Sequence, residues 1–216
     1  MWKKYKVLII VTAIICLLPI LAGVILWDRL PEQIPSHWGI NGEVDSWSSK
    51  PFAVFFFPTL LCGIHLLCVF ASTLDPKHKN YAPQMFRLVL WICPVLSLLL
   101  NSIVYSFALG YDMLNVPMII NTLVGIMFIF VGNYLPKCRQ SYTMGIKLPW
   151  TLNNEENWNK THRFAGKLWV AGGVLILSTA LWGGFGVLIG TLIVMAAVPT
   201  VYSYCLYRKQ AGSARE

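Results

Sequence analysis

Residues 168–207 read LWVAGGVLILSTALWGGFGVLIGTLIVMAAVPTVYSYCLY, forty consecutive positions without a charged side chain. A single straight helix of this length would measure about 60 Å, which is twice the roughly 30 Å thickness of the bilayer hydrocarbon core. The pair Gly183-Gly184 lies near the middle, and adjacent glycines are typical of a turn. We therefore expect two membrane-spanning helices here, the first of which begins upstream near Trp158.

Four further apolar stretches have the length of about 20 residues that a spanning helix needs. They are residues 7–27, 52–74, 88–109 and 116–135. The composition agrees, because 56% of the side chains are hydrophobic and only 12% are charged, about half the charged fraction of a soluble domain. These observations exclude a disordered chain and argue against a water-soluble enzyme. They predict an all-α integral membrane protein with six transmembrane helices.

The Lys and Arg residues predict the orientation of these helices. When the polar segments between spans are assigned alternately to the two sides, fifteen of the seventeen basic residues fall on one side. The other two are Arg29 and Lys50 in the first loop. Because cytoplasmic loops are enriched in Lys and Arg, both termini are predicted to be cytoplasmic in a multi-pass protein of the cell membrane. Topology thus explains most of the net charge of +8, and direct nucleic-acid binding is not predicted.

The chain is expected to divide into three parts. Residues 1–74 form an N-terminal two-helix unit with an extracellular loop over residues 28–51. Residues 75–135 hold spans three and four, and residues 136–216 hold a cytoplasmic loop and a terminal pair of helices. The two long loops are rich in polar residues, so function is sought there.

The first loop contains an Asn41-Gly42 pair, which is typical of a turn. Its side chains that could bind a metal or a proton are Glu32, His37, Glu43 and Asp45. A metal site needs three or four correctly placed ligands, and no regular helix fixes their spacing here. We favour the interpretation that the carboxylates keep the loop soluble while His37 and Asp45 hydrogen-bond the turn. No metal and no cofactor are predicted.

The second loop lies within residues 132–173 and carries six basic residues. Asn153, followed three positions later by Glu156, predicts a helix N-cap with its capping-box partner. The residues Trp158, His162, Ala165 and Trp169 then recur at helical spacing. This pattern predicts a helix at the membrane interface that runs into span five. Its basic side chains either meet anionic lipid headgroups or dock a cytoplasmic protein, and the first interpretation covers most of the charge.

Enzyme motifs are missing from the sequence, which has no HExxH, GxSxG, Walker or GxGxxG pattern, so no catalytic residue is predicted. The polar residues within spans, His65, Asn101 and Asn121, are typical of interhelical hydrogen bonds. The motif Gly186-x-x-x-Gly190 predicts close packing of span six within the chain.

The two polar loops together resemble a known family. In the first loop the pattern falls on Leu30, Pro31, Ile34, Pro35, His37, Gly42, Asp45 and Lys50. In the second it falls on Gly132, Asn133, Gly145, Ile146, Pro149, Trp150, Thr151, Leu152, Trp158, Lys160, Thr161, His162, Arg163 and Gly166. The chain is similar to the SdpI family of bacterial immunity proteins. Lys147 stands where the family pattern has arginine, which keeps the charge but not a bidentate contact.

The resemblance implies a protein that protects a bacterium from a secreted, membrane-active toxin peptide. It also implies a relay that recruits a transcriptional autorepressor to the membrane when toxin is bound. Candidate toxin contacts are Glu32, His37, Gly42, Asp45 and Lys50. Candidate contacts to the regulator are Lys147, Pro149, Trp150, Thr151, Trp158, Lys160, Thr161, His162 and Arg163. The alternatives are a membrane enzyme or small-solute transporter with a metal-binding outer loop, and a purely structural membrane partner.

Overall fold

The computed structural model describes residues 2–77, 81–111, 115–182 and 185–213 of the chain. Its helices are α1 (Trp2–Ile25), α2 (Phe57–Leu74), α3 (Pro83–Ala108), α4 (Val116–Tyr134), α5 (Pro149–Asn153), α6 (Glu155–Ala180) and α7 (Phe185–Ser213). Short 3-10 turns at Trp27–Arg29 and Leu135–Lys137 follow α1 and α4, and a π-helical turn at Phe52–Phe56 leads into α2.

Within the described residues, five helical stretches have the length and hydropathy to cross a membrane. They are Lys3–Ile25, Phe52–Leu74, Pro83–Ala108, Val116–Lys137 and Phe185–Gly212. The prediction of a helical, multi-pass membrane protein is therefore confirmed. Helix α6 is not among the five, because its first half carries the charged and polar residues of the second loop.

The chain forms two compact units. The first consists of Met1–Leu74 and Phe86–Val116, and the second of Asp75–Met85 and Pro117–Glu216. In the first unit, a buried cluster of Leu30, Ile34, Ala53, Val54 and Tyr105 joins the first loop to the helices. The Tyr105 hydroxyl donates to the carbonyl oxygen of Pro19 at 3.1 Å, which satisfies a hydroxyl that is costly to bury alone. The division of the sequence at residues 74 and 135 into three parts stays a prediction.

The first loop folds into an antiparallel hairpin of β1 (Gln33–Trp38) and β2 (Val44–Ser49). Gly42 has a φ of +83° in the connecting turn, a conformation that glycine adopts at little cost. The prediction of a turn at Asn41-Gly42 is confirmed. The two-stranded sheet is an addition to the helical architecture that the sequence analysis did not predict, although Asn-Gly between strand-forming residues is a strong hairpin signal.

In the second unit, helices α4 and α6 cross through two pairs of glycines. A Cβ atom on Gly173 would lie 2.7 Å from the carbonyl oxygen of Gly125, and one on Gly166 would lie 2.7 Å from that of Gly132. Only glycine lets the two backbones approach this closely. In each helix the two glycines are seven residues apart, so both fall on one face.

The prediction that Gly186 and Gly190 mediate close packing within the chain is wrong for the described residues. A Cβ atom at either position would meet no described atom within 4 Å. Among the described residues, the contacts of glycine with glycine lie instead between α4 and α6, because those helices present their glycines to each other at matching heights.

Helices α6 and α7 run antiparallel along each other. The indole nitrogen of Trp169 donates to the carbonyl oxygen of Met195 at 2.9 Å, and the Asn154 amide donates to Gln210 Oε1 at 3.2 Å. The start of α6 thus lies beside the end of α7, as in an antiparallel pair of helices. Helix α6 ends at Ala180 and α7 begins at Phe185, so the predicted turn falls between them, although Gly183-Gly184 itself lies outside the described residues.

The N-cap of α6 is Asn154 rather than the predicted Asn153. The Asn154 side chain accepts a hydrogen bond from the backbone N–H of Asn157 at 2.9 Å. Pro149 starts the separate short helix α5, which runs through Asn153. An N-cap residue has an extended backbone, and because Asn153 is still helical in α5, Asn154 takes this position.

Candidate functional site

The hairpin brings two of the candidate toxin contacts together across its strands. His37 Nδ1 lies 2.6 Å from Asp45 Oδ1, and their side chains are 68% and 49% exposed. The two side chains bond to each other across the strands and close to the turn, whereas a hydrogen bond from either of them to the turn itself stays a prediction. The pair faces solvent and is accessible to a partner.

Lys50, in contrast, is occupied within the chain. Its side chain is only 7% exposed, and Nζ lies 2.9 Å from Glu32 Oε1. Nζ also donates to the carbonyl oxygen of Trp27 at 3.3 Å and lies 5.2 Å from the centre of its ring. Lys50 therefore fastens the end of β2 to the 3-10 turn after α1. The side chain of Glu32 remains 85% exposed.

Within the described residues, no group of three His, Cys, Asp or Glu side chains lies close enough to hold a metal ion. The His37–Asp45 pair supplies two ligands, and a stable metal site in a protein uses three or more. The geometry of the hairpin therefore gives no support to a metal-binding outer loop.

Residues 138–154 of the second loop fold compactly, and we call this segment the signature loop. A network of hydrogen bonds joins it to α6 and α7. His162, on α6, is buried and holds this loop at Ile146. The Ile146 N–H donates to Nε2 at 2.9 Å, so Nδ1 carries the proton and donates to the carbonyl oxygen of Trp158 at 2.8 Å. Burial lowers the pKa of His162 to about 4, against a smaller opposing effect of the Trp158 carbonyl. The imidazole is thus neutral at pH 7.

Gly145 lets the signature loop approach His162. Its φ is +107°, and a Cβ atom there would lie 2.5 Å from Nε2 of His162. Trp158 stacks on the imidazole with ring centres 4.0 Å apart, and its indole nitrogen donates to the carbonyl oxygen of Cys138 at 2.8 Å. Two side chains of one helical turn therefore fix both the beginning and the middle of the loop.

Thr151 closes the other end of the signature loop. Its hydroxyl accepts from the N–H of Leu148 at 2.9 Å and donates to the carbonyl oxygen of Ile146 at 2.8 Å. The amide of Gln140 donates to the carbonyl oxygen of Thr151 at 2.9 Å. These bonds hold α5 against the preceding residues of the signature loop. They are needed because a five-residue helix is unstable in isolation.

Ser203 on α7 is a shared hydrogen-bond partner for Trp150 of the signature loop and Asn157 of α6. The indole nitrogen of Trp150 donates to its hydroxyl, and the Asn157 amide donates to its carbonyl oxygen, both at 2.9 Å. Thr161 in turn donates to Asn157 Oδ1 at 3.0 Å. The signature loop is therefore bonded to α6 and α7 together.

Asp75 is an organising residue that the sequence analysis missed. Its Oδ2 atom accepts from the N–H groups of Tyr142 and Thr143 at 2.8 and 3.0 Å, and from the Tyr81 hydroxyl at 2.6 Å. Its Oδ1 atom accepts from the Lys77 N–H at 2.7 Å. Burial opposes ionisation, but these hydrogen bonds outweigh it and hold the pKa of Asp75 below its ordinary value. Neither spacing nor composition marks this residue, because the partners it holds in the signature loop, Tyr142 and Thr143, lie more than sixty positions away.

The regulator candidates thus separate by burial. Thr151, Trp158, Thr161 and His162 are buried within the network, and Trp150 is half-buried. Pro149, Lys147, Lys160 and Arg163 are exposed. Lys160 pairs with Glu156 one turn earlier at 2.6 Å, an exposed contact that contributes little to stability.

Comparison with known proteins agrees with this division into hairpin and signature loop. A sequence model of the SdpI/YfhL protein family matches residues 137–203, and one described as Domain of unknown function (DUF1648) matches residues 14–62. The chain is 32% identical over 212 residues to Immunity protein SdpI of Bacillus subtilis (strain 168), which covers 94% of this chain and 98% of that protein. The chain belongs to the SdpI family. No solved structure matches it.

The SdpI/YfhL match begins at the last residue of the 3-10 turn after α4 and ends at Ser203. It therefore spans the whole signature loop, all of α6 and α7 as far as Ser203, which bonds to Trp150 and Asn157. The pattern that identifies this SdpI-family chain coincides with the network built around His162, Thr151 and Ser203. Asp75 lies outside both matched regions, although its carboxylate holds the loop that carries the pattern.

Proposed function

We propose that this chain is a membrane immunity protein that protects a bacterial cell from a secreted, membrane-active toxin peptide. The observation that carries the proposal is its 32% identity to Immunity protein SdpI over nearly the full length of both chains. An alignment that covers 94% of this chain and 98% of that protein argues for a shared role of the whole protein.

The proposed topology has six spans with both termini in the cytoplasm. Helix α7 is long and apolar enough to cross the membrane, and α6 runs antiparallel beside it. The uncharged part of α6 from Leu168 onward then crosses as the fifth, short span. The distribution of basic residues supports the cytoplasmic assignment of the signature loop and the extracellular assignment of the hairpin.

The hairpin is the proposed contact for the toxin. His37, Asp45 and Glu32 present exposed polar atoms, and Gly42 sets the turn that positions them. Lys50 contributes by fixing the hairpin, since its ammonium group is buried against Glu32 and Trp27.

The exposed surface of the signature loop and of the first turns of α6 is the proposed contact for a cytoplasmic repressor, with Lys147 on the loop and Lys160 and Arg163 on α6 as the charged side chains. The buried residues Thr151, Trp158 and His162 hold the loop in place. Anionic lipid headgroups are the competing partner for the same charges. Charge reversal distinguishes the two, because loss of lipid contact alone would leave repressor recruitment unchanged.

We propose a protein without catalytic activity or cofactor. A metal-dependent enzyme or transporter is the alternative, and no grouping of ligands among the described residues favours it.

Expression in a toxin-sensitive strain tests the immunity function directly. Cells that carry the protein in their membrane should survive a challenge that kills cells without it. Equal killing at a membrane level verified by immunoblotting would contradict the proposal. The variants His37→Ala and Asp45→Ala should lose protection if the hairpin contacts the toxin. The exposed variant Lys209→Ala, far along the chain from the hairpin, serves as the matched control.

A further inference from the structure

The two outer edges of the hairpin differ in chemistry. Along β1, Ile34 and Pro35 are buried, and Pro35 has no N–H to offer an added strand. Along β2, every residue is exposed or half-buried, and the side chain of Trp47 is 56% exposed. The edge of β1 is therefore closed, whereas the edge of β2 is open.

The register shows which backbone groups of β2 point away from β1. The Lys50 N–H donates to the carbonyl oxygen of Glu32 at 2.9 Å, and inward and outward groups alternate along an antiparallel pair. Trp47, which lies opposite Pro35, and Ser49 therefore direct their N–H and C=O groups outward. Among the described residues, β1 is the only strand paired with β2.

The exposed charge of the first loop, which carries this edge, is mainly negative. Within residues 28–51, four carboxylates accompany two basic residues, and one of these two, Lys50, is buried. The exposed groups include Glu43 and Asp45 at the start of β2. A positively charged partner is therefore favoured at this edge over a negatively charged one.

We propose that the outer edge of β2 binds an extended, cationic peptide as a third strand. This inference rests on the proposed immunity function and defines the form in which the toxin is recognised. The backbone groups of Trp47 and Ser49 form the hydrogen bonds of the added strand, and the indole of Trp47 covers its apolar side chains. In such strand addition the main chain supplies affinity and the side chains supply specificity.

Amide hydrogen exchange on the full chain in phosphatidylcholine nanodiscs tests this pairing. The probe is a synthetic nine-residue peptide of alternating Val and Thr with Lys at both ends and in the centre. Peptide addition should slow exchange at Trp47 and Ser49, whose N–H groups point outward, and leave Ser48 unchanged. Failure of the peptide to bind would overturn the proposal. Slow exchange at Trp47 and Ser49 before peptide is added would also overturn it, because the membrane would then cover the edge.

A matched set of variants isolates the backbone contribution. Ser49→Pro removes an outward N–H, whereas Ser49→Ala keeps it and should bind like the wild-type protein. We expect Ser49→Pro to weaken binding about three- to tenfold, the range for one lost hydrogen bond. Should Ser49→Pro fail to fold, methylation of alternate amide nitrogens in the probe removes the same bonds and leaves the protein intact. Equal binding of the methylated and unmethylated probes would contradict strand pairing.

Survival assays separate this inference from the proposed function. A wild-type chain that reaches the membrane and gives no protection would contradict immunity itself. A wild-type chain that protects, together with a Ser49→Pro variant that binds and protects equally well, would overturn strand pairing alone.

Discussion

The backbone N–H of Ile146 donates a hydrogen bond to Nε2 of His162 at 2.9 Å, across a glycine that has no room for a side chain. This bond links the signature loop to α6 and fixes the tautomer of the imidazole. It also makes the loop sensitive to protonation, because a protonated imidazole would point a second N–H at the N–H of Ile146.

Acidification should therefore destabilise the protein through His162. The pKa of His162 is about 4 in the folded chain and about 6.5 when unfolded, so between these values the unfolded chain binds more protons. Stability is then fully present above pH 6.5 and falls as the pH drops toward 4, by on the order of 3 kcal/mol. Melting temperatures in detergent across this range measure the loss. His162→Gln should flatten the dependence, whereas His37→Gln, at an exposed position, should retain it.

Removal of the Asp75 carboxylate should loosen the signature loop. Asp75→Ala leaves the N–H groups of Tyr142 and Thr143 without their acceptor, at an expected cost on the order of 3 kcal/mol. Limited trypsin digestion at Arg139 and Lys147 should then become faster. Tyr81→Phe removes one donor only and should have a smaller effect. Unchanged digestion of Asp75→Ala would contradict the role of this carboxylate.

The Asp75 contribution should also depend on pH, in the acid range. Hydrogen bonds hold its folded pKa below the ordinary value, so its stabilisation is present above about pH 4 and is lost as the pH falls through the folded pKa. The difference in melting temperature between wild type and Asp75→Ala should shrink over that interval. A constant difference down to the lowest pH at which the protein stays soluble would argue against it.

Alanine at glycines of the helix crossing should destabilise the protein selectively. In Gly166→Ala the new Cβ atom would lie 2.7 Å from the carbonyl oxygen of Gly132 and 2.8 Å from the ring of Pro136. Overpacking of this kind costs about 1–3 kcal/mol. Gly190→Ala meets no described atom within 4 Å and is the matched control, with unchanged or slightly raised stability. Thermal unfolding in detergent measures both, and equal effects would refute the crossing.

Exposed and buried residues of the signature loop and of the first turns of α6 should give different phenotypes. Reversal of charge at Lys147, Lys160 and Arg163 should reduce repressor recruitment to the membrane while protein level and immunity stay normal. Trp158→Ala, within the network, should lower the amount of folded protein and so reduce both functions. Fluorescence localisation of the repressor, with immunoblotting of the membrane fraction, measures these outcomes. Loss of immunity in the charge-reversal variant at normal protein level would show that the loop does not separate the two roles.

Much of the fold follows from the sequence, because the membrane imposes simple rules. Long uncharged stretches must form helices in lipid, since the backbone has no other hydrogen-bond partners there. The helices over residues 52–74 and 116–134 accordingly agree closely with expectation. The hairpin was not predicted, although its Asn-Gly turn between strand-forming residues carries the structural signal.

The candidate site could be located from sequence but not divided into its parts. The pattern around Trp150, Trp158 and His162 marked the correct loop. Sequence alone did not show that Trp158 and His162 are buried while Lys147 and Arg163 are exposed. Burial depends on what the fold places beside each side chain, and Trp158 and His162 are covered by distant loop residues such as Gly145. The prediction of close packing at Gly186 and Gly190 failed for the same reason. The spacing of two glycines shows that a helix can be approached closely, but it does not show which helix lies beside it.

The sequence by itself determined the membrane class, the approximate helices and the family resemblance, since hydropathy and short-range patterns depend on neighbouring residues. The tertiary structure decided which polar groups are hydrogen-bonded to other groups of the same chain. Asp75 meets Tyr142 and Thr143, and Trp150 meets Ser203, across separations that no local pattern records. Those contacts form because a buried polar group must find a partner wherever the fold offers one, and they leave the remaining exposed groups free to meet another molecule.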